Sequence, residues 1–169
     1  MTSSREPPLP TFLIIGAQKS ATRWLRFNLG LHPDVYAAPN EIEFFNNRNR
    51  YNDLGVSWYR SQFEGWAGES IVGEATPGYM FWRHQPTICA ERVRSVVPDA
   101  HLIAILRNPI DRAHSAMLHH IARNALPPDS DLVDIVRRTR ADRDPLGLIS
   151  GGWYAESLEP YRQRFEDQL

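Results

Sequence analysis

Three short stretches of the chain are rich in apolar side chains: Phe12-Leu13-Ile14-Ile15-Gly16, Ser70-Ile71-Val72-Gly73-Glu74 and His101-Leu102-Ile103-Ala104-Ile105-Leu106. The first and third run nearly unbroken, without polar alternation. They predict strands covered on both faces, as in a parallel sheet. Elsewhere the apolar period is that of a helix. Residues 22–31 align Leu25 with Leu29 and Phe27 with Leu31. Residues 86–97 start on a proline, align Cys89, Val93 and Val97, and stop at Pro98. Residues 109–123 follow the third run directly and carry Asp111 in the first turn, where the helix dipole favours an acid. Residues 131–140 carry Leu132, Ile135 and Val136, and residues 154–169 put Tyr154, Leu158, Tyr161 and Phe165 on one side despite Pro160. The alternation predicts an α/β fold. Residues 32–68 show no clean period and are expected to hold a short helix around 57–63 and a functional loop.

Composition narrows the class. At 169 residues, 42% apolar and 23% charged, the chain matches one globular domain. A net charge of −1 argues against a general nucleic-acid or anionic-membrane binder. The single Cys89 excludes a disulfide framework and a cysteine zinc cluster. The expected organisation is a flexible tail over residues 1–10 and one domain over 11–169. The tail lacks the apolar core of a secretory leader, and no run approaches the roughly 18 apolar residues of a membrane span. These features set a cytoplasmic expectation. Of nineteen basic residues, eighteen are Arg; the sole lysine is Lys19, just after the first apolar run.

That lysine sits in Gly16-Ala17-Gln18-Lys19-Ser20-Ala21-Thr22-Arg23-Trp24-Leu25, between the first strand and the first helix. A helix N-terminus offers free N–H groups and partial positive charge, which suit a phosphate. Lys19 adds a compact cation, and Ser20 and Thr22 add hydroxyls. The loop lacks the second glycine of G-x-x-x-x-G-K-[ST], which weakens an ATPase or GTPase reading. The alternative is an ordinary corner, with Ser20 or Thr22 as N-cap and Lys19 in solvent.

The third strand leads into Leu106-Arg107-Asn108-Pro109-Ile110-Asp111-Arg112-Ala113-His114-Ser115. Arg107 stands near the carboxyl end of a parallel strand, where open α/β sheets bind ligands. Arg107 and Ser115 can converge on a second phosphate, or Arg107 can pair with an acid while Ser115 merely packs.

Together these stretches resemble the sulfotransferases that use 3′-phosphoadenosine 5′-phosphosulfate (PAPS). Residues 16–25 are similar to that family's 5′-phosphosulfate loop and residues 106–115 to its 3′-phosphate motif. The likeness is strongest to the heparan sulfate sulfotransferase-like branch and its bacterial relatives. It extends through His32-Pro33-Asp34-Val35, Glu41-Ile42-Glu43-Phe44-Phe45, Trp58-Tyr59, Gly73-Glu74-Ala75-Thr76-Pro77-Gly78-Tyr79 and Trp153-Tyr154-Ala155-Glu156-Ser157-Leu158. The resemblance implies a P-loop NTPase-like parallel sheet flanked by helices. It implies PAPS as donor and 3′,5′-adenosine bisphosphate as product, with no metal. It assigns Lys19 to the bridging and 5′-phosphate oxygens, backbone donors from Ser20, Ala21 and Thr22 to the same group, and Thr22-Arg23 to that branch's Thr-Arg pair. Arg107 and Ser115 would hold the 3′-phosphate. Glu41 would be the catalytic base, with Glu74 as second candidate; a solvated loop acid and a loop-orienting structural acid are the respective alternatives.

Three departures stand out. Ala21 replaces a usual glycine, Asn40 and Ala75 stand where relatives often carry lysines, and Glu43 replaces a frequent histidine. They favour a small-molecule, glycolipid or lightly charged carbohydrate acceptor. His119 and His120 point apart on a helix and are expected on the surface or in packing. Arg137, Arg138, Arg140 and Arg143 read as a solvated face balanced by Asp134, Asp142 and Asp144. Phe44, Phe45, Trp58, Tyr79, Phe81 and Trp82 are candidates for an acceptor pocket or for core. The resemblance also implies elements beyond Leu169, so a truncated chain or a homo-oligomer is expected. The competing functions are a P-loop nucleotide kinase-like phosphoryl transferase and a non-catalytic PAPS-binding or interaction protein.

Overall fold

The computed structural model describes residues 6–81, 85–139 and 144–169. The central sheet has four parallel strands, β1 (Phe12–Gly16), β2 (Val35–Ala37), β3 (Ile71–Ala75) and β4 (His101–Ala104), in the order β2-β3-β1-β4. Around it lie α1 (Thr22–Leu29), α2 (Gly55–Ser61), α3 (Pro86–Val96), α4 (Pro109–Ala122), α5 (Leu132–Arg138) and α6 (Tyr154–Arg162).

β1 is paired on both sides, Phe12 standing opposite Gly73 of β3 and His101 of β4. All five of its residues are buried, which is why its sequence does not alternate. Leu13 and Ile15 face a core shared with Cys89 and Val93 of α3, Tyr161, Phe165 and the aromatic group Phe44, Phe45, Tyr59, Phe63 and Tyr79. Phe12 and Ile14 face the opposite side, where Leu25 and Leu29 of α1 cover them. Each such side chain contributes roughly 1.5–3 kcal/mol by leaving water. Gly73 is required by this packing: a Cβ there would lie 2.3 Å from the Phe12 ring. Burial pushes the Cys89 thiol up to about 12.

The α/β parallel architecture follows the apolar pattern, and the differences are local. The 32–68 region holds β2 and a π-helical turn, Arg50–Leu54, as well as α2. Three half-buried residues are too few to show a period; β2 forms because Val35, Tyr36 and Ala37 pair with Ile71, Val72 and Gly73. α1 ends at Leu29, so Leu31 lies beyond it and is exposed, as is Phe27. β4 ends at Ala104 and α6 at Arg162. The inner part of the expected tail is held: Arg60 donates to the Pro7 carbonyl at 2.8 Å and pairs with Glu6 at 3.2 Å, while Leu9 packs on the core.

A second small core joins Ala116 and Met117 of α4 to Leu148. Asp144 belongs there and not to a solvated face. It is buried, and its carboxylate accepts from the backbone N–H of Leu148, Ile149 and Ser150 and from the Ser150 hydroxyl at 2.7–2.9 Å. Arg138 pairs with Asp134 at 3.8 Å on the surface, as expected for that cluster; Arg140, Asp142 and Arg143 lie outside the described residues. Among the described residues no helix is long and apolar enough to cross a membrane.

Candidate functional site

The loop between β1 and α1 ends in an uncapped helix. The cap position is Ala21, and no side chain hydrogen-bonds to this end, so neither Ser20 nor Thr22 is an N-cap. First-turn N–H groups have no partner within a helix. Here they remain for a ligand, with the positive end of the helix dipole behind them. The Ser20 N–H is already engaged by the Ala17 carbonyl at 3.2 Å, which removes one of the expected backbone donors. The Ser20 hydroxyl is buried and has no hydrogen-bond partner among the described residues. Such an orphan costs about 1–3 kcal/mol unless something satisfies it. An anionic oxygen in the loop would do so, and the loop therefore fits a phosphate or sulfate group. Lys19 and Ala21 both have positive φ, 68° and 65°. The left-handed region is sterically open to glycine and strained for alanine, so Ala21 is held there against its own preference.

The second element is built differently. The side chain of Asn108 caps α4, accepting from Ile110 N–H at 3.0 Å and Asp111 N–H at 3.4 Å. This end of α4 is satisfied by its own sequence, leaving the Arg107 guanidinium and the Ser115 hydroxyl as the groups there with donors to offer an anion. Arg107 lies in the link after β4 and points its Nη1 at the Lys19 carbonyl, 3.4 Å away. The Tyr154 hydroxyl holds the Arg107 carbonyl at 2.8 Å.

Lys19, Ala21, Thr22, Arg23, Glu41, Arg107 and Ser115 all line one cleft of about 720 Å³. Every sequence-predicted site residue except Ser20 and Glu74 therefore meets there. A hollow of similar size, about 740 Å³, lies against β4 and α6 and is lined by none of them.

The two candidate bases separate. Glu41 opens onto the cleft and stays solvent-accessible. Burial of its carboxyl against the wall raises its pKa, and the Glu43 charge raises it further; Arg26, Arg123 and Arg23 pull the other way without cancelling the rise. Glu43 is itself paired with Arg50 at 3.5 Å. Glu74 is fully buried and lines no part of the cleft. Its oxygens accept from the hydroxyls of Tyr59 at 3.0 Å and of Tyr79 and Thr76 at 2.6 Å. Phe44, Phe45 and Tyr79 are core: Phe44 stacks on Tyr59 with ring centres 4.4 Å apart. Only Phe81 of that aromatic set reaches the main cleft among the described residues, and Trp58 borders a smaller hollow beside Glu41 with Asn40 and Arg50. Trp82 lies outside the described residues.

His119, Arg123 and Asn46 also line the cleft and were not anticipated. A signal was present. Ser115, His119 and Arg123 are spaced by four, so they share a face of α4 and its end. Burial, then the charges of Lys19 and Arg123, lower the His119 pKa. His120 turns away, within 3.2 Å of the Leu146 carbonyl. Cations also border Glu41 from an unexpected direction: Arg23 and Arg26 of α1 flank a side pocket with Asn40 and Ala75.

Known proteins are similar to this chain in sequence and in fold. Residues 9–168 match the sulfotransferase domain family. The chain is 33% identical over 160 residues to heparan sulfate glucosamine 3-O-sulfotransferase 6 of Homo sapiens, a match covering 95% of this chain and 43% of that protein. It is 34% identical over 127 residues to the membrane-associated sulfotransferase kil1 of Dictyostelium discoideum, covering 71% of this chain and 26% of that one. The crystal structure of a sulfotransferase from Alicyclobacillus acidocaldarius superposes with a TM-score of 0.76 at 29% identity, covering 95% of this chain and 70% of that one. The chain thus spans less than half the length of these curated relatives. The nucleotide kinase-like alternative finds no support among them. With the family matched over nearly all of its residues and the fold shared, the chain belongs to the sulfotransferase family.

Proposed function

We propose that the chain binds PAPS and transfers its sulfuryl group to a hydroxyl of a carbohydrate or small-molecule acceptor. The observation that carries this is the meeting of Lys19, the uncapped end of α1, Arg107, Ser115 and Glu41 on one cleft. PAPS, when bound, supplies an electrophilic sulfur on a phosphate leaving group. Lys19 and the N–H groups of α1 stabilise negative charge growing on the leaving phosphate. Arg107 and Ser115 hold the 3′-phosphate, which fixes the nucleotide across both loops. Glu41 accepts the acceptor's proton as the new oxygen–sulfur bond forms and the bond to phosphate breaks. Its raised pKa brings the carboxylate closer to the proton affinity that this transfer needs. Arg23 and Arg26 give the acceptor side the cationic lining that positions 40 and 75 lack. Carbohydrate acceptors are favoured because a matched relative is described as acting on heparan sulfate glucosamine.

The test is transfer of labelled sulfate from PAPS to a panel of carbohydrate and small-molecule acceptors. Glu41→Gln is expected to cut turnover by about 10²–10⁴ with donor affinity unchanged. Full turnover in Glu41→Gln would reject Glu41 as the base.

A further inference from the structure

Glu74 has three partners, and two of them lead back to the segment that carries Glu41. The Thr76 hydroxyl donates to Glu74 Oε2 at 2.6 Å and accepts from the N–H groups of Ile42 at 3.1 Å and Glu43 at 3.2 Å. The Tyr79 hydroxyl donates to Glu74 Oε1 at 2.6 Å and accepts from the N–H of Phe44 at 3.1 Å. Three successive amides after Glu41 therefore end, through two hydroxyls, on one carboxylate. The directions are fixed by valence. Each hydroxyl has one proton, and each faces a backbone N–H that can only donate, so each proton must go to Glu74. Tyr59 adds a third donor at 3.0 Å. Glu74, Thr76, Tyr59 and Tyr79 are all fully buried, so the network has no water to replace a lost member.

From this geometry we infer that Glu74 is a positioning residue: through Thr76 and Tyr79 it fixes the backbone of residues 42–44 and so aims Glu41 into the cleft. The catalytic consequence rests on the reading of Glu41 as base; the positioning itself does not. Few other arrangements would serve. Glutamine at position 74 would turn an NH₂ toward hydroxyls that already donate, reversing at least one link. The strand supplies the rigidity, since Glu74 pairs within β3 against Leu13 of β1, and Thr76 and Tyr79 follow directly in the same chain. Glu74 thus belongs to the machinery without touching either substrate.

Hydrogen exchange in the full chain, read by NMR at the amides of Ile42, Glu43 and Phe44, tests this. The variants are Glu74→Gln, Thr76→Val and Thr76→Ser. Glu74→Gln and Thr76→Val are expected to speed exchange at the amides they release by at least about tenfold, the equivalent of 1.4 kcal/mol. Thr76→Ser keeps the hydroxyl and should restore protection at Ile42 and Glu43. Turnover should fall with the loss of protection and return with Thr76→Ser, while the Kd for 3′,5′-adenosine bisphosphate stays within twofold. Should Glu74→Gln fail to fold, the Thr76 pair alone decides. Unchanged exchange at Ile42 and Glu43 in folded Thr76→Val overturns the inference, whatever the activity. Faster exchange with full turnover, when Glu41→Gln also keeps full turnover, upholds the positioning and rejects the base.

Discussion

Tyr154 donates its hydroxyl to the carbonyl of Arg107 at 2.8 Å, tying the start of α6 to the link that presents the Arg107 guanidinium to the cleft. Sequence separates the two by 47 residues. The bond is solvent-exposed, so its contribution belongs at the ordinary 0.5–1.5 kcal/mol of a neutral hydrogen bond. Tyr154→Phe should weaken binding of 3′,5′-adenosine bisphosphate about two- to tenfold by calorimetry and lower Tm by only about 2–4 °C. A Kd equal to that of the parent chain would show that Tyr154 does not position Arg107.

The surroundings of Glu41 predict opposite effects on the pH profile. As the proposed base, Glu41 would act only when ionised, so turnover should fall as pH drops through its pKa. Because burial and Glu43 raise that pKa, the acidic limb lies above the ordinary 4.5. Glu43→Gln removes a charge that raises it and should move the limb to lower pH. Arg26→Gln removes a charge that lowers it and should move the limb to higher pH. Steady-state turnover against pH measures both shifts, and shifts of the same sign would contradict the assignment.

Asp144 predicts a pH-dependent stability. Burial raises its pKa, but the N–H and hydroxyl of Ser150 and the N–H groups of Ile149 and Leu148 outweigh burial and hold it below 3.8. A depressed carboxylate stabilises the fold above its unfolded pKa, and the contribution is lost as pH falls through the folded value. Asp144→Asn puts an NH₂ where a backbone N–H needs an acceptor and should cost about 1–3 kcal/mol in denaturant melts at neutral pH. The gap between variant and parent should narrow as pH falls below 3.8.

Ala21→Gly should be tolerated or mildly stabilising. A left-handed alanine is strained by roughly 1–2 kcal/mol, and a new glycine loosens the unfolded chain by about 0.4–1 kcal/mol. The net expectation is between no change and a gain of about 1.6 kcal/mol, read from urea melts. A loss beyond 1 kcal/mol would mean that the Ala21 methyl is needed in the cleft wall.

Much of this molecule is legible before folding. β1 is an apolar run because both neighbours and both faces cover it, and Cys89, Val93 and Val97 declare the buried side of α3. The loop at Lys19 and the pair Arg107 and Ser115 are legible because each sits within one strand–helix junction. What stays hidden depends on distant contacts. β2 exists through its pairing with β3, and the aromatic residues 44 and 45 fit a pocket or a core equally until Tyr59 and Tyr79 enclose them. Glu74 could be a base or a structural acid on sequence alone; only its three hydroxyl partners separate the roles. Taken alone, His119 is expected on the surface or in packing; its spacing of four from Ser115 is the relation that accounts for its place on the cleft.

Both loops are proposed to hold one nucleotide with phosphates at two places, and calorimetric titration with 3′,5′-adenosine bisphosphate, beside 5′-AMP and ATP–Mg²⁺, decides it. The bisphosphate is expected to bind at least about tenfold tighter than 5′-AMP, a difference of 1.4 kcal/mol. Arg107→Ala should erase that preference, whereas Lys19→Ala should weaken both ligands. Equal binding of bisphosphate and 5′-AMP, or binding of ATP–Mg²⁺ alone, would contradict it.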